Sequence, residues 1–196
     1  ILRLMKGAGI IAQRGYKRRT SYKAGELSMV AENLLNRKFS GSKPNLAWVI
    51  DITYIRTQEG WLFLAVVLDL YSRSVIGWSM SDRINTDLAL GALTMACWRR
   101  RDHAGVVVHS DQGCQYTSYE WNSMLKANGF KPSMSRRGNC HDNACAESFF
   151  SLLKKERIRR RTYPTRDAAN SDVFNYIELF YNAKRRHGNN GDLSPM

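Results

Sequence analysis

Asp51, Asp111 and Glu147 are the residues whose types and settings could do chemistry together. Asp51 lies within 49–55, a run rich in β-branched residues. Alternation there sets Ile50, Ile52 and Tyr54 on one face and Asp51 and Thr53 on the other. A carboxylate among such neighbours is costly unless an arginine, hydrogen-bond donors or a metal accompanies it. Asp111 follows the apolar run Val106-Val107-Val108, within His109-Ser110-Asp111-Gln112-Gly113, and the ends of strands are where open sheets place functional groups. Glu147 falls on a helix expected to start at Asp142 and run to about Arg157, with Cys145, Phe149 and Leu152 as its buried stripe. Glu147, Ser151 and Lys154 share another face of that helix, beside the cationic loop Ser135-Arg136-Arg137-Gly138-Asn139. Taken singly, each aspartate is better explained as a cap or turn residue. Taken with Glu147, they form an oxygen donor set of the kind hard Mg²⁺ prefers. Two such ions, roughly 3.5–4 Å apart, activate the attacking oxygen and stabilise the leaving one in phosphodiester displacement.

Other chemistries find less support. Ser110 lacks the glycine pattern of a nucleophile elbow. Cys140-His141 and Cys145 have no second Cys or His pair at zinc-like spacing. His109 and His141 suit packing or phosphate contact better than ligation of a hard metal.

The elements that must position the acids can be read from periodicity. Residues 49–55, 61–68 and 74–80, joined by short turns, predict an antiparallel meander, with 61–68 apolar on both faces. Thr86 is the expected N-cap of a helix carrying Leu90, Leu93 and Cys97 and closed by Arg99, Arg100 and Arg101. A strand at 106–108 follows, then a helix marked by Trp121, Met124 and Leu125 and stopped by Asn128-Gly129. Residues 132–138 read as loop, with any strand there only bracketed, and a last helix covers roughly 166–181. This order predicts an α/β fold, a mixed five-stranded sheet flanked by helices.

The chain has 196 residues and a formal charge of +13 from 30 Lys and Arg against 17 acids. The excess points to a polyanionic partner, nucleic acid foremost. No apolar run reaches the 18 or so residues of a membrane-spanning helix. Ile1 opens no signal-peptide layout, and the four cysteines form no disulfide framework, so reduced thiols in a cytoplasmic protein are expected. Residues 1–44 read as a basic lead-in, 45–164 as the core and 165–196 as a C-terminal helix with a basic tail.

Longer motifs resemble one family. Trp48-x-x-Asp51-Ile52-Thr53-Tyr54-Ile55, Glu59-Gly60-Trp61 and Asp69-x-x-Ser72-Arg73 resemble the first catalytic block of bacterial insertion-sequence transposases of the family named for insertion sequence three. His109-Ser110-Asp111-Gln112-Gly113-x-Gln115-Tyr116 is similar to its second block. Ser133-Met134-Ser135-x-x-Gly138-Asn139-x-x-Asp142-Asn143-Ala144-x-x-Glu147 is similar to its third. Between Asp111 and Glu147 lie 35 residues, a spacing shared with retroviral integrases. Tyr181-Asn182-x-x-Arg185-Arg186-His187 resembles the C-terminal signature. The sequence departs from the pattern at Val49-Ile50, where threonines are frequent, and at Cys114, where Ser or Gly is usual.

The resemblance implies a ribonuclease H-like catalytic core that nicks DNA and then transfers the freed 3′-hydroxyl to another DNA strand during transposition. Asp51, Asp111 and Glu147 would be the ligands of Mg²⁺, with Mn²⁺ able to replace it and two ions in the active complex. DNA contacts would come from Lys154, Arg136, Arg137, Asn143, Arg157, Arg185 and Arg186. The expected partners are the element's DNA ends and its target, further copies of the chain assembled on DNA, and an upstream helix-turn-helix protein or domain. A remnant of that domain would lie in residues 1–16. A bacterial, nucleoid-associated setting goes with these roles. Two other readings remain: a DNA-binding relic without activity, opposed by the intact acids, and another ribonuclease H-like nuclease, opposed by the block-by-block match.

Overall fold

The computed structural model describes residues 5, 7–9, 30–37, 39, 41–136 and 140–195, without the side chains of Cys140 and His141. Three antiparallel strands open the fold: β1 (Ala47–Thr57), β2 (Gly60–Asp69) and β3 (Val75–Ser81). Helix α1 (Thr86–Arg99) leads to β4 (Val107–Ser110), and α2 (Tyr119–Ala127) leads to β5 (Lys131–Met134). Helix α3 (Ala144–Glu156) follows a 3₁₀ turn, Cys140–Asn143. Helix α4 (Arg166–Phe174) continues as a π-helical stretch, Asn175–Tyr181. The sheet order is β3-β2-β1-β4-β5, with β4 parallel to both β1 and β5. It is the mixed five-stranded sheet expected, with β1 at its centre.

Alternation along the strands builds two apolar layers. Val49 and Ile55 of β1, with Leu64, Val66 and Leu68 of β2, pack under Phe149, Phe150 and Leu153 of α3 and Val173 of α4. Trp48 and Ile50, with Ala65 and Val67, pack under Leu88, Ala92 and Leu93 of α1 and Trp121 of α2. Both faces of β2 are covered, which is why its sequence does not alternate. The close approach of α1 to β3 depends on Gly77: a Cβ there would stand 2.2 Å from the Ala92 carbonyl oxygen.

Several local expectations change in the folded chain. The N-cap of α1 is Asn85 rather than Thr86, its Oδ1 accepting from Leu88 N at 3.0 Å. Residues 131–134 are a strand rather than a loop, despite Pro132. Lys131 N donates to Val106 O and Ser135 N to Ser110 O, both at 2.9 Å. Pro132 falls at the alternate position, where a strand's N–H would point away from β4, so its missing proton costs the ladder nothing. The outer side of β5 meets the lead-in, Met134 N donating to Glu32 O at 3.3 Å. Helix α3 starts at Ala144, two residues after Asp142, and its buried stripe is Ala146, Phe149, Phe150 and Leu153. Cys145 and Leu152, half-buried, flank that stripe instead of forming it.

Among the described residues no helix is long and apolar enough to cross a membrane. The expected remnant at 1–16 and the basic stretch around Arg14 and Lys23 lie outside the described residues, apart from Met5 and residues 7–9. Residues 30–37 sit on the core: Leu35 is buried in the α3-side layer, and Leu34 N donates to Ser133 Oγ at 3.0 Å.

Candidate active site

The parallel register between β1 and β4 brings the two aspartates together. Ala47 pairs with Val107, Trp48 with Val108 and Val49 with His109. Asp51 and Asp111 each lie two residues beyond the last of these pairs, close enough for the charge of Asp111 to act on Asp51. The β1–β4 pairing stops at Val49, and among the described residues β1 pairs again on that edge only at the isolated bridge of Thr57 with Tyr163. Asp51 thus stands half-buried at an open notch of a central strand.

Each aspartate is partly held. Asp51 Oδ1 accepts from Ile52 N at 2.7 Å, and Asp111 Oδ1 accepts from Gly113 N at 2.9 Å. No donor among the described residues reaches either Oδ2. Glu147 is exposed in the first turn of α3, on the helix face that also carries Lys154. The electrostatics join the four groups. Burial pushes the Asp51 carboxyl up to about 7, a hydrogen bond from Ile52 N opposes it, the charges of Asp111 and Glu147 raise it further, and Lys154 pulls it back. Two neighbouring acids that raise a third are the condition a divalent cation relieves.

Tyr116, in the 3₁₀ turn Cys114–Tyr116, adds a polar group to this centre. Its ring is fully buried against Trp121, and its hydroxyl has no hydrogen-bond partner among the described residues. Gln115 is a polar neighbour that falls short of hydrogen-bonding geometry. Burial, then the charges of Asp51 and Asp111, raise the phenol far above its ordinary value. The two carboxylates, each with an oxygen that no donor among the described residues reaches, fit a hydrated hard cation. Among the described residues, however, no three His, Cys, Asp or Glu side chains are gathered tightly enough to form a finished cage.

Asp142, expected only to start a helix, is the anchor of the site's outer wall. Its fully buried carboxylate accepts from Arg136 Nε and Nη2 at 2.9 Å, Arg136 N at 3.1 Å, Arg37 Nε at 2.9 Å and Asn33 Nδ2 at 3.0 Å. His109 is buried close by. Ser133 Oγ accepts from Leu34 N and Leu35 N, so its one proton goes to His109 Nδ1 at 2.8 Å. Nε2–H then donates to Ser135 Oγ at 3.1 Å, and burial keeps the ring neutral. The imidazole is a packing and hydrogen-bonding element, as expected.

The expected DNA-contacting residues separate into two groups. Lys154 Nζ lies 4.7 Å from the Tyr54 ring centroid, beside the acids, and Arg186 is exposed. Arg136 is held by Asp142. Arg185 is held by Glu156, Nη2 to Oε1 at 2.9 Å, and Arg157 lies 3.7 Å from Asp172 and over the Tyr176 ring. Asn143 is buried as the N-cap residue of α3, its Oδ1 without a partner among the described residues. Arg137 lies outside the described residues. Sequence reasoning assigned no role in the site to Tyr116, Asp142, Tyr54 or Trp61; only a polar tip on an otherwise apolar residue hinted at the first.

The geometry agrees with known relatives. Residues 41–140 and 147–196 each match a family model described as an integrase core domain. The chain is 53% identical over 175 residues to the transposase InsF for insertion sequence IS3A of Escherichia coli (strain K12), covering 89% of this chain and 60% of that protein. It is 41% identical over 195 residues to the insertion element IS600 uncharacterized 31 kDa protein of Shigella sonnei, covering 100% of this chain and 72% of the other. Among solved structures, the HTLV-2 integrase catalytic core domain in complex with magnesium superposes with a TM-score of 0.58 at 18% identity, covering 79% of this chain and 96% of that one. A simian T-cell lymphotropic virus intasome gives 0.60 at 19% identity, over 80% and 55%. The fold is therefore the ribonuclease H-like fold of retroviral integrase cores. The chain spans about 60% of the length of the InsF relatives. With two carboxylates just beyond a parallel register, a third on a covering helix and these matches along nearly its whole length, the chain belongs to the integrase core family and is related to proteins of insertion sequences.

Proposed function

We propose that this chain is the catalytic core of a transposase that nicks DNA and transfers the freed 3′-hydroxyl to a second DNA strand in a Mg²⁺-dependent reaction. The observation that carries this reading is the coupling of Asp51, Asp111 and Glu147: burial first, then the charges of Asp111 and Glu147, hold the Asp51 carboxyl up at about 7. Asp51 and Asp111 would hold the divalent cation, with Glu147 completing the set from α3. Mn²⁺ would serve in place of Mg²⁺, and two ions would fit a displacement of this kind. When bound, the cation supplies Lewis-acid activation of the attacking oxygen and stabilises the leaving one.

The remaining tasks fall to the chain's own groups. Tyr116 hydrogen-bonds to solvent held in the acid centre. Lys154 grips a phosphate beside the scissile bond, and its Coulombic contact offsets charge on Asp51. Arg186, Lys155, Arg159 and Arg160, all exposed, hold the DNA backbone without reading sequence. Arg136, Asn143, Arg157 and Arg185 act from behind, fixing the elements that carry the contacts. DNA ends and target are the substrates. Further copies of the chain assemble on them, and an upstream helix-turn-helix domain or protein selects the ends.

The test is a strand-nicking and strand-transfer assay on DNA carrying an element end. Asp51→Asn, Asp111→Asn and Glu147→Gln should each lower the Mg²⁺-dependent rate at least 10³-fold, on the scale of groups that act as a unit, while DNA binding persists. Unchanged cleavage in any one variant removes that residue from the site.

A further inference from the structure

Beside the acids lies an exposed aromatic corner that metal-ion chemistry leaves unused. Tyr54 and Trp61 meet edge to face, with ring centroids 5.1 Å apart and planes at 84°. They are 56% and 47% exposed. In the β1–β2 register Tyr54 pairs with Phe63 and Arg56 with Trp61, so the two rings are diagonal neighbours on one face of the hairpin. A cross-strand aromatic pair stabilises a hairpin. That accounts for their meeting, but not for the cations gathered round them.

Lys154 reaches across the open edge of β1 to cover one face of the Tyr54 ring. Arg159 is close enough to Lys154 to act on its charge. Arg159 also lines, with Arg56, Arg161, Thr57, Gln58 and Thr162, a cavity of about 490 Å³ at the end of the hairpin. Cations thus run from the acid centre past the aromatic corner into an arginine-lined hollow. Because Lys154 lies over the Tyr54 ring, the half-exposed Trp61 is the ring left for a flat ligand.

We propose that Trp61 and Tyr54 form a stacking platform for one unpaired nucleobase next to the reacting phosphate, with the following phosphates led by Lys154 and Arg159 into the Arg56–Arg161 hollow. The proposal rests on the reading of the chain as a DNA strand-transfer core. It adds that the core grips a frayed or single-stranded end rather than an intact duplex. Aromatic stacking suits this task because every base has a π-face, so grip comes without a demand on sequence.

The experiment compares two duplexes of equal length in paired bases, one blunt and one with a three-nucleotide unpaired 3′ extension carrying 2-aminopurine. Binding to the full chain is measured in EDTA, where no cleavage occurs. The wild-type chain should quench the 2-aminopurine and bind the extended duplex about tenfold more tightly than the blunt one, the size expected for one stacked base. Trp61→Leu, which keeps an apolar group but removes the π-face, should abolish both effects and leave blunt-duplex affinity unchanged. Trp61→Phe should retain most of the preference, and Tyr54→Ala should weaken it. Lys154→Gln should weaken binding of both duplexes and reduce the salt slope by about one phosphate contact. Equal wild-type affinity for the two duplexes overturns the platform while leaving the strand-transfer reading to its own assay. So does an equal loss on both in Trp61→Leu, or a change only in oligomeric state. A wild-type chain that binds neither duplex overturns both readings.

Discussion

Arg136 and Asp142 are joined by two parallel hydrogen bonds, Nε to Oδ2 and Nη2 to Oδ1, each 2.9 Å long. The pair closes the loop between β5 and α3, and Arg37 and Asn33 tie the lead-in to the same carboxylate. Arg136's hydrogen bonds hold the Asp142 carboxyl well below the usual carboxylate range against the opposing effect of its burial. An acid depressed in this way adds stability above its unfolded pKa and loses it as pH falls toward the folded one. Thermal melts from pH 6 to pH 2 should therefore show a steep acid limb below about pH 4. Asp142→Asn should melt lower at pH 6 and flatten that limb. An unchanged limb would assign acid sensitivity to other carboxylates.

Asp51 behaves in the opposite sense. Its carboxyl is raised from 3.8 to about 7, so between these values the folded chain keeps a proton that the unfolded chain has released. Without metal, stability should fall as pH rises from about 4 to about 7 and level off above, by at most about 4 kcal/mol for a shift of this size. Asp51→Asn should remove the slope and be the more stable protein at pH 8. Divalent-ion affinity, followed calorimetrically, should drop about tenfold per pH unit below 7 and plateau above it.

Tyr116→Phe separates folding from function. The hydroxyl is buried without a partner among the described residues, so removing it should stabilise the metal-free protein by roughly 1 kcal/mol. Mg²⁺-dependent turnover should fall roughly tenfold, as for loss of one hydrogen bond at a reacting centre. A variant that is both less stable and fully active would place the hydroxyl in the fold alone.

Arg185 and Arg186 should answer differently to substitution. Arg185 clasps Glu156, which also accepts from Tyr176 Oη at 2.7 Å, whereas Arg186 is exposed. Arg185→Gln should cost about 1–2 kcal/mol of stability with little change in the salt dependence of DNA binding. Arg186→Gln should leave stability within about 0.5 kcal/mol and lower the salt slope by about one contact.

Gly77→Ala tests the seating of α1 on the sheet. The added methyl would collide with the Ala92 carbonyl oxygen and the Ala96 backbone N at 2.2 and 2.7 Å, both backbone atoms that yield only if the helix moves. A loss of about 3 kcal/mol or more in denaturant unfolding is expected.

Much of this was legible because strand and helix periods are local. The β-branched run around Asp51, the acid after the valine run and the phase of Glu147 and Lys154 on one helix are properties of neighbouring residues. So are the antiparallel meander and the helix stop at Asn128-Gly129. The misplaced details sit where two local signals compete. Asn85 and Thr86 are both good caps, and the fold chose the residue whose oxygen meets Leu88 N. Cys145 and Leu152 fit a helical stripe as well as Ala146 and Leu153, and only the contact with β1 and β2 fixed the phase.

The sequence by itself determined the candidate acids, the order of elements and the basic excess, since these follow from composition and short-range pattern. Only the tertiary structure decided the rest. The parallel register of β4 with β1 set Asp111 beside Asp51, and the end of that pairing at Val49 opened the notch between them. Long-range approach also decided which cations are spent on Asp142, Glu156 and Asp172 and which remain exposed. Charge at a distance depends on burial and on partners remote in the chain, and no local pattern encodes either.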